Sequence, residues 1–128
     1  MLLATVSDDF YKLADSQNYD VLTYPVVTND NVKLQLVRVG VKGDPDGFKG
    51  QLVLITHDLG TDCEEYFING ALSVLSTLKD SGNFDIWCGN FRGTKYSPTD
   101  KEYLMDDIIE NDFEAFTKAI LAERPEYQ

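Results

Sequence analysis

QLVLITHDLG, residues 51–60, decides how the rest of the chain is read. Leu52, Val53, Leu54 and Ile55 are apolar in succession, and the run ends in a polar, glycine-bearing corner. Residues 84–93, FDIWCGNFRG, repeat that form, and about twenty residues of mainly helical character separate the two. This is the pattern of a strand–helix–strand unit, the centre of an α/β domain. Apolar residues at successive positions from Leu52 to Thr56 suit a strand covered on both faces. A corner that leaves the sheet after such a strand lies above the strands' carboxyl ends, where ligands bind in open α/β sheets.

On the amino-terminal side, DVLTYPVVT (20–28) and VKLQLVRV (32–39) flank the turn residues Asn29, Asp30 and Asn31, and they read as an antiparallel hairpin. Pro25 cannot donate to a ladder, so its strand belongs at an edge or a bulge. Ser7 with Asp8 and Asp9 opens a short helix over 7–17, and the four glycines of 40–50 make an exposed connection. Phe67, Ala71, Leu72, Leu75 and Leu78 recur at helical spacing between 61 and 81, where Gly82 is a stop. Pro98 keeps the next stretch a loop. A last helix from near 106 to 122 carries the stripe Met105, Ile109, Phe113, Phe116 and Ile120 and ends at Pro125. The fold class is therefore α/β: an antiparallel hairpin followed by a β-α-β-α half sheet.

Composition narrows the function. With 128 residues, 43% of them hydrophobic, the chain makes one domain over 1–128. Its apolar runs fall far short of the ~20 residues that cross a bilayer, so no transmembrane segment is expected. The opening MLLATVSDDF has no basic start and reads as neither a secretory signal nor a transit peptide. The net charge is −11, which repels nucleic acid. The acidic clusters, including Glu64-Glu65 and Asp106-Asp107 with Glu110, Asp112 and Glu114, read as solvated faces. His57 is the single histidine, and it has no metal-like spacing with Cys63 or Cys88, so no metal or cofactor is expected. The two cysteines read as buried thiols, and without an Asn-x-Ser/Thr sequon the chain favours a reducing, intracellular compartment.

From about residue 19 to 121 the sequence resembles the N-terminal portion of the acid lipases, the gastric and lysosomal branch of the α/β-hydrolases. The likeness rests on YDVLTYPVVTNDNVKLQLVRV, on the His57-Asp58-Leu59 corner, and on Asp85, Trp87, Gly89, Asn90, Arg92, Gly93, Tyr96 and Ser97 in FDIWCGNFRGTKYS. The last helix carries Asp112 at the place of a family aspartate. The resemblance implies a carboxylic ester hydrolase fold in which the Leu59 N–H forms half of an oxyanion hole. This chain departs from the family in having Asp58 where a glycine is expected, and a carboxylate there opposes an oxyanion. The HDLG corner is also similar to that of the N-myc downstream-regulated α/β-hydrolases, which are regarded as inactive.

A hydrolase of this kind needs a Gly-x-Ser-x-Gly elbow followed by an acid and a histidine, and none of Ser73, Ser76, Ser81 or Ser97 lies in such an elbow. His57 reads as a structural residue, and no catalytic residue is assigned. The family's strand order, 1-2-4-3-5-6-7-8, implies that a sheet cut after its fourth strand leaves the third at an edge. Leu52, Val53, Leu54, Ile55 and Thr56 are then an uncovered apolar strand, and a protein partner is expected to cover it together with the last helix. The expected role is that of a non-catalytic, lipase-derived subunit of a larger assembly. The alternative is the N-terminal part of an active lipase completed by a second chain.

Overall fold

A computed structural model describes residues 11–44, 48–68 and 73–128. Of the helix expected over 7–17, residues 11–16 form α1, and the earlier part lies outside the described residues. Four strands follow: β1 (Tyr19–Val27), β2 (Lys33–Val41), β3 (Gln51–Thr56) and β4 (Phe84–Asn90). They make one sheet in the order β1-β2-β4-β3. β1 pairs antiparallel with β2 from Tyr19↔Val41 to Val27↔Lys33, and β2 pairs antiparallel with β4. β3 runs parallel to β4, from Gln51↔Phe84 to Thr56↔Gly89. The hairpin and the parallel unit are those expected, and Pro25 lies on the edge strand β1, where its missing N–H costs no ladder bond.

β4 is the centre of the molecule, and its two faces build two cores. Ile86 and Cys88 point to one side and pack with Val37, Val39, Phe67 and Leu75. Trp87 points to the other and packs with Leu34, Leu36, Phe116 and Ile120. Gly89 shares the Trp87 face, where a Cβ would stand 2.3 Å from the Phe116 ring. A glycine here lets α5 (Phe113–Glu123) lie directly on the sheet. β3, by contrast, is nowhere fully buried: Gln51 is exposed and Leu52 to Thr56 are half-buried. Both faces are covered as expected, Leu52 and Leu54 packing on one core and Ile55 on the other, but β3 stays half-buried because it has a strand neighbour on one side alone.

Two helical expectations need correction. Among the described residues, the helix read across 61–81 is interrupted before Val74, with α2 at Glu65–Ile68 and α3 at Val74–Ser81. Ser73 is extended at φ −82°, ψ 156°, and its hydroxyl accepts the Ser76 N–H at 3.1 Å, so the side chain starts a new helix there. Ala71 and Leu72 of the expected stripe lie outside the described residues. Gly82 ends α3 in the left-handed region at φ 74°, as expected. The last helix begins as α4 (Met105–Asp107), passes through a π turn (Ile108–Asp112) and continues as α5. The extra residue in the π turn rotates the stripe: Ile108 is buried, whereas Met105 and Ile109 of the expected stripe are exposed. Phe116 and Ile120 keep their inward positions.

The same rotation buries Asp112, which was expected on a solvated face. Its carboxylate accepts the Arg92 main-chain N–H and Nε, both at 2.9 Å. The other edge of the Arg92 guanidinium donates to Asp30 at 2.7 and 2.9 Å. Those bonds hold the Asp30 carboxyl well below the usual carboxylate range and push Arg92 further up. A second bridge crosses the opposite end of the sheet. Asp85 accepts Arg38 Nε and Nη2 at 2.8 Å each and Arg124 Nη1 at 2.7 Å. Arg124 also donates to the Gly50 carbonyl at 3.0 Å, fastening the end of α5 to the head of β3.

Gly89→Ala should lower stability by about 1–3 kcal/mol in urea unfolding, with part of the loss recovered when Phe116→Leu is added. Asp112→Ala should cost about 3–5 kcal/mol, because it leaves the buried Arg92 charge short of a partner. The stabilisation from Asp30 is present above its ordinary pKa of about 3.9 and is lost as pH falls through its lower folded value. The acid limb of a stability–pH curve should therefore be shallower in Asp30→Asn than in the wild type.

Candidate functional site

At the carboxyl ends of β3 and β4 the chain leaves the sheet twice, and the two exits face each other across a cleft of about 290 Å³. One wall is His57 with Leu59 to Asp62; the other is Phe91 to Lys95, with Tyr103 and Ile108 closing the side. This is the position expected for a ligand at the end of a parallel unit.

His57 joins the walls. Its Nδ1 lies 2.9 Å from the Asp58 carbonyl, and its Nε2 lies 3.1 Å from the Phe91 N–H. A carbonyl only accepts, so Nδ1 carries the proton and Nε2 accepts from Phe91. The imidazole is buried and packs on the Phe91 ring at 4.8 Å between centroids. Both ring nitrogens are thus engaged by main-chain groups.

The Asp58 carbonyl also accepts the Thr61 hydroxyl at 2.7 Å and the Thr61 N–H at 3.2 Å, which closes a tight turn. Gly60 takes the left-handed conformation in that turn, at φ 83°. Asp58 does not have a positive φ, so a side chain strains no backbone here. Its effect on the corner is electrostatic. Asp58 is exposed, its N–H donates to the Glu65 carboxylate at 3.2 Å, and Asp62 follows on the same wall. The Leu59 side chain is 70% exposed, and among the described residues its N–H makes no hydrogen bond. This main-chain donor therefore stands among carboxylates, a setting that opposes accumulated negative charge. Nearby, burial raises the Tyr66 phenol pKa, with the Glu65 and Asp58 charges adding to the effect, and its hydroxyl donates to the Thr56 carbonyl.

Of the motif residues in and after β4, Asn90, Arg92, Gly93, Tyr96 and Ser97 each hold a piece of this frame, whereas Asp85 lies at the opposite end of the sheet. Asn90 accepts the Cys63 N–H at 2.9 Å and donates to the Gln35 side chain at 3.1 Å. Ser97 donates to the Asn90 carbonyl at 2.7 Å and accepts the Gln35 N–H at 2.8 Å. Gly93, at φ 87°, leaves room for the Tyr103 hydroxyl, which would stand 2.1 Å from an added Cβ. The Tyr96 hydroxyl donates to Glu64, whose other oxygen pairs with Lys95 at 2.8 Å. Trp87 lies under the Arg38 guanidinium, 4.7 Å from its ring centroid, and Asp85 holds the two arginines. Arg92 anchors the far wall through Asp30 and Asp112.

The cysteines are the clearest correction. Cys63 and Cys88 form a disulfide with a Cα separation of 6.1 Å, and both are buried. Only two cysteines, 25 residues apart, carry no pairing signal in the sequence; the pairing follows from the chain leaving β3 and folding back over the middle of β4. The expectation of a reducing compartment loses its footing with the thiols. Among the described residues, no group of histidine, cysteine and acidic side chains could hold a metal ion, and no helix is long and apolar enough to cross a membrane.

No family model matches the sequence. Over 93 residues, 67% of the chain, it is 34% identical to triacylglycerol lipase 1 of Arabidopsis thaliana, of which it covers 23%. Over 85 residues it is 35% identical to triacylglycerol lipase 2 of the same plant, covering 62% of this chain and 20% of that one. The chain thus spans less than a quarter of the length of these relatives. Its fold is similar to that of the Pyrococcus furiosus esterase Pf2001, with a TM-score of 0.62 at 19% identity over 88% of this chain and 40% of that one. Sequence and architecture together relate this chain to the lipase-like α/β-hydrolases, of whose fold it carries a part.

Proposed function

We propose that residues 1–128 act as one lipase-derived domain that is non-catalytic by its own side chains and serves as a structural or accessory unit of a larger assembly. The open edge of β3 carries this reading. Leu52, Val53, Leu54, Ile55 and Thr56 are half-buried, uncharged and free of proline, and an edge of that kind is stable when another strand covers it. The connections say which strand fits. From β3 to β4 the chain crosses by α2 and α3 on the Cys88 face; after β4 it crosses back by α5 on the Trp87 face. Right-handed crossovers in opposite directions put their helices on opposite faces, so the step after α5 leads from β4 back past β3 to its far side. Arg124 delivers that end of the chain to Gly50, at the head of β3. The partner is a parallel strand, supplied by a further segment or by a second chain.

The site supports the absence of independent chemistry. His57 spends both nitrogens on the main chain, and the corner is acidic where a hydrolase would be neutral or positive. Identity with two triacylglycerol lipases favours a second reading, in which this is the N-terminal part of a working ester hydrolase and Leu59 supplies half of its oxyanion hole.

The isolated chain should hydrolyse p-nitrophenyl esters no faster than buffer does, and turnover that disappears in His57→Ala would overturn the primary reading. In sedimentation velocity it should self-associate or precipitate; a stable monomer removes the argument from the β3 edge. Ester turnover that returns when a polypeptide bearing a Gly-x-Ser-x-Gly elbow is added would select the hydrolase reading.

A further inference from the structure

We infer that the Cys63–Cys88 disulfide is a latch that sets the width of the cleft, and that the folded chain belongs to an oxidising compartment. The bond links the two walls at their roots. Cys63 directly follows the wall formed by Leu59 to Asp62, and Cys88 stands in β4 three residues before Phe91, where the other wall begins. Cys88 cannot move: it is paired with Val37 on one side and Ile55 on the other. Cys63 lies in a loop, and α2 follows it at Glu65–Ile68. Between this segment and the far wall, Asn90 binds the Cys63 N–H, Glu64 binds Lys95 and Tyr96, and His57 both accepts the Phe91 N–H and packs on its ring, while Phe67 is buried in the core at the segment's end. Water can replace the polar ties locally, whereas the covalent tie holds through such openings.

Both cysteines are buried, at 0% and 1% exposure, so a reductant reaches the sulfurs only when the segment over 58–68 lifts from the sheet. A dithiol then attacks one sulfur as its thiolate, forms a mixed disulfide and resolves it with its second thiol. Two electrons and two protons pass to the protein, leaving two cysteine thiols and an oxidised, cyclic dithiol. A thiol-reducing compartment pulls that exchange forward, so the latched form persists where the surroundings are oxidising. This inference does not depend on ester chemistry or on what covers β3.

The full chain, unfolded with an alkylating agent and no reductant, should keep its unmodified mass; addition of two alkyl groups overturns the inference. In hydrogen exchange read by mass spectrometry, reduction with dithiothreitol should speed exchange in 58–68 by about tenfold or more while β2 and β4 stay protected. Cys63→Ala, which leaves the strand residue in place, should reproduce that local pattern without reductant. Exchange that is unchanged, or that rises across the whole sheet in both the reduced chain and the variant, would refute a local latch.

Discussion

The guanidinium of Arg92, held between Asp112 and Asp30, is the interaction on which the upper half of this molecule depends. It fastens three pieces of chain that no strand ladder joins: the hairpin turn, the loop leaving β4 and the start of the last helix. Buried ion pairs of this sort add little net stability relative to an apolar replacement, but removing one member is expensive. Their consequence is geometric. Arg92 has two edges and a main-chain N–H, and all of them are satisfied where the loop over 91–97 stands. The π turn is part of the same constraint, since it turns Asp112 inward at the cost of exposing Ile109.

At the other end of the sheet Asp85 plays the matching part with signs reversed. One carboxylate binds Arg38 from β2 and Arg124 from beyond α5, so the antiparallel hairpin, the parallel pair and the last helix meet on a single acid. Between these two clamps β4 is packed on both faces, by aliphatic and aromatic side chains on one and by Trp87 and the ring of Phe116 against Gly89 on the other. Lys79 closes the lower rim, its ammonium 3.3 Å from the carbonyls of Val39 and Phe84, and burial lowers its pKa. The molecule is thus an apolar sandwich pinned at its two ends by charge.

Period and punctuation made the strands legible. Alternation in β2, proline in β1 and the apolar runs of β3 and β4 each state a local preference that the tertiary structure agrees with. The corner at His57 was legible for the same reason, as a polar break after a buried run. What escaped were facts about distance. Asp112 looks solvated because its neighbours Asp106, Asp107 and Glu110 are, and nothing local announces the extra residue that turns it inward. Helical spacing runs straight through Ser73, although its hydroxyl caps a helix there. Cys63 and Cys88 meet because a loop folds over a strand, and that pairing is a property of the topology. Asp85 was read as a motif residue, but its arginine partners come from 47 residues before and 39 after.

The left-handed residue at the corner is Gly60, two places beyond the carboxylate of Asp58. Shape and charge at this turn are therefore set by different residues. Position 58 is at liberty to change its side chain without redrawing the path of the chain, whereas position 60 is not. Evolution could alter the electrical character of such a corner in a single step and keep the architecture intact, which offers one route by which a hydrolytic scaffold can be turned to other uses.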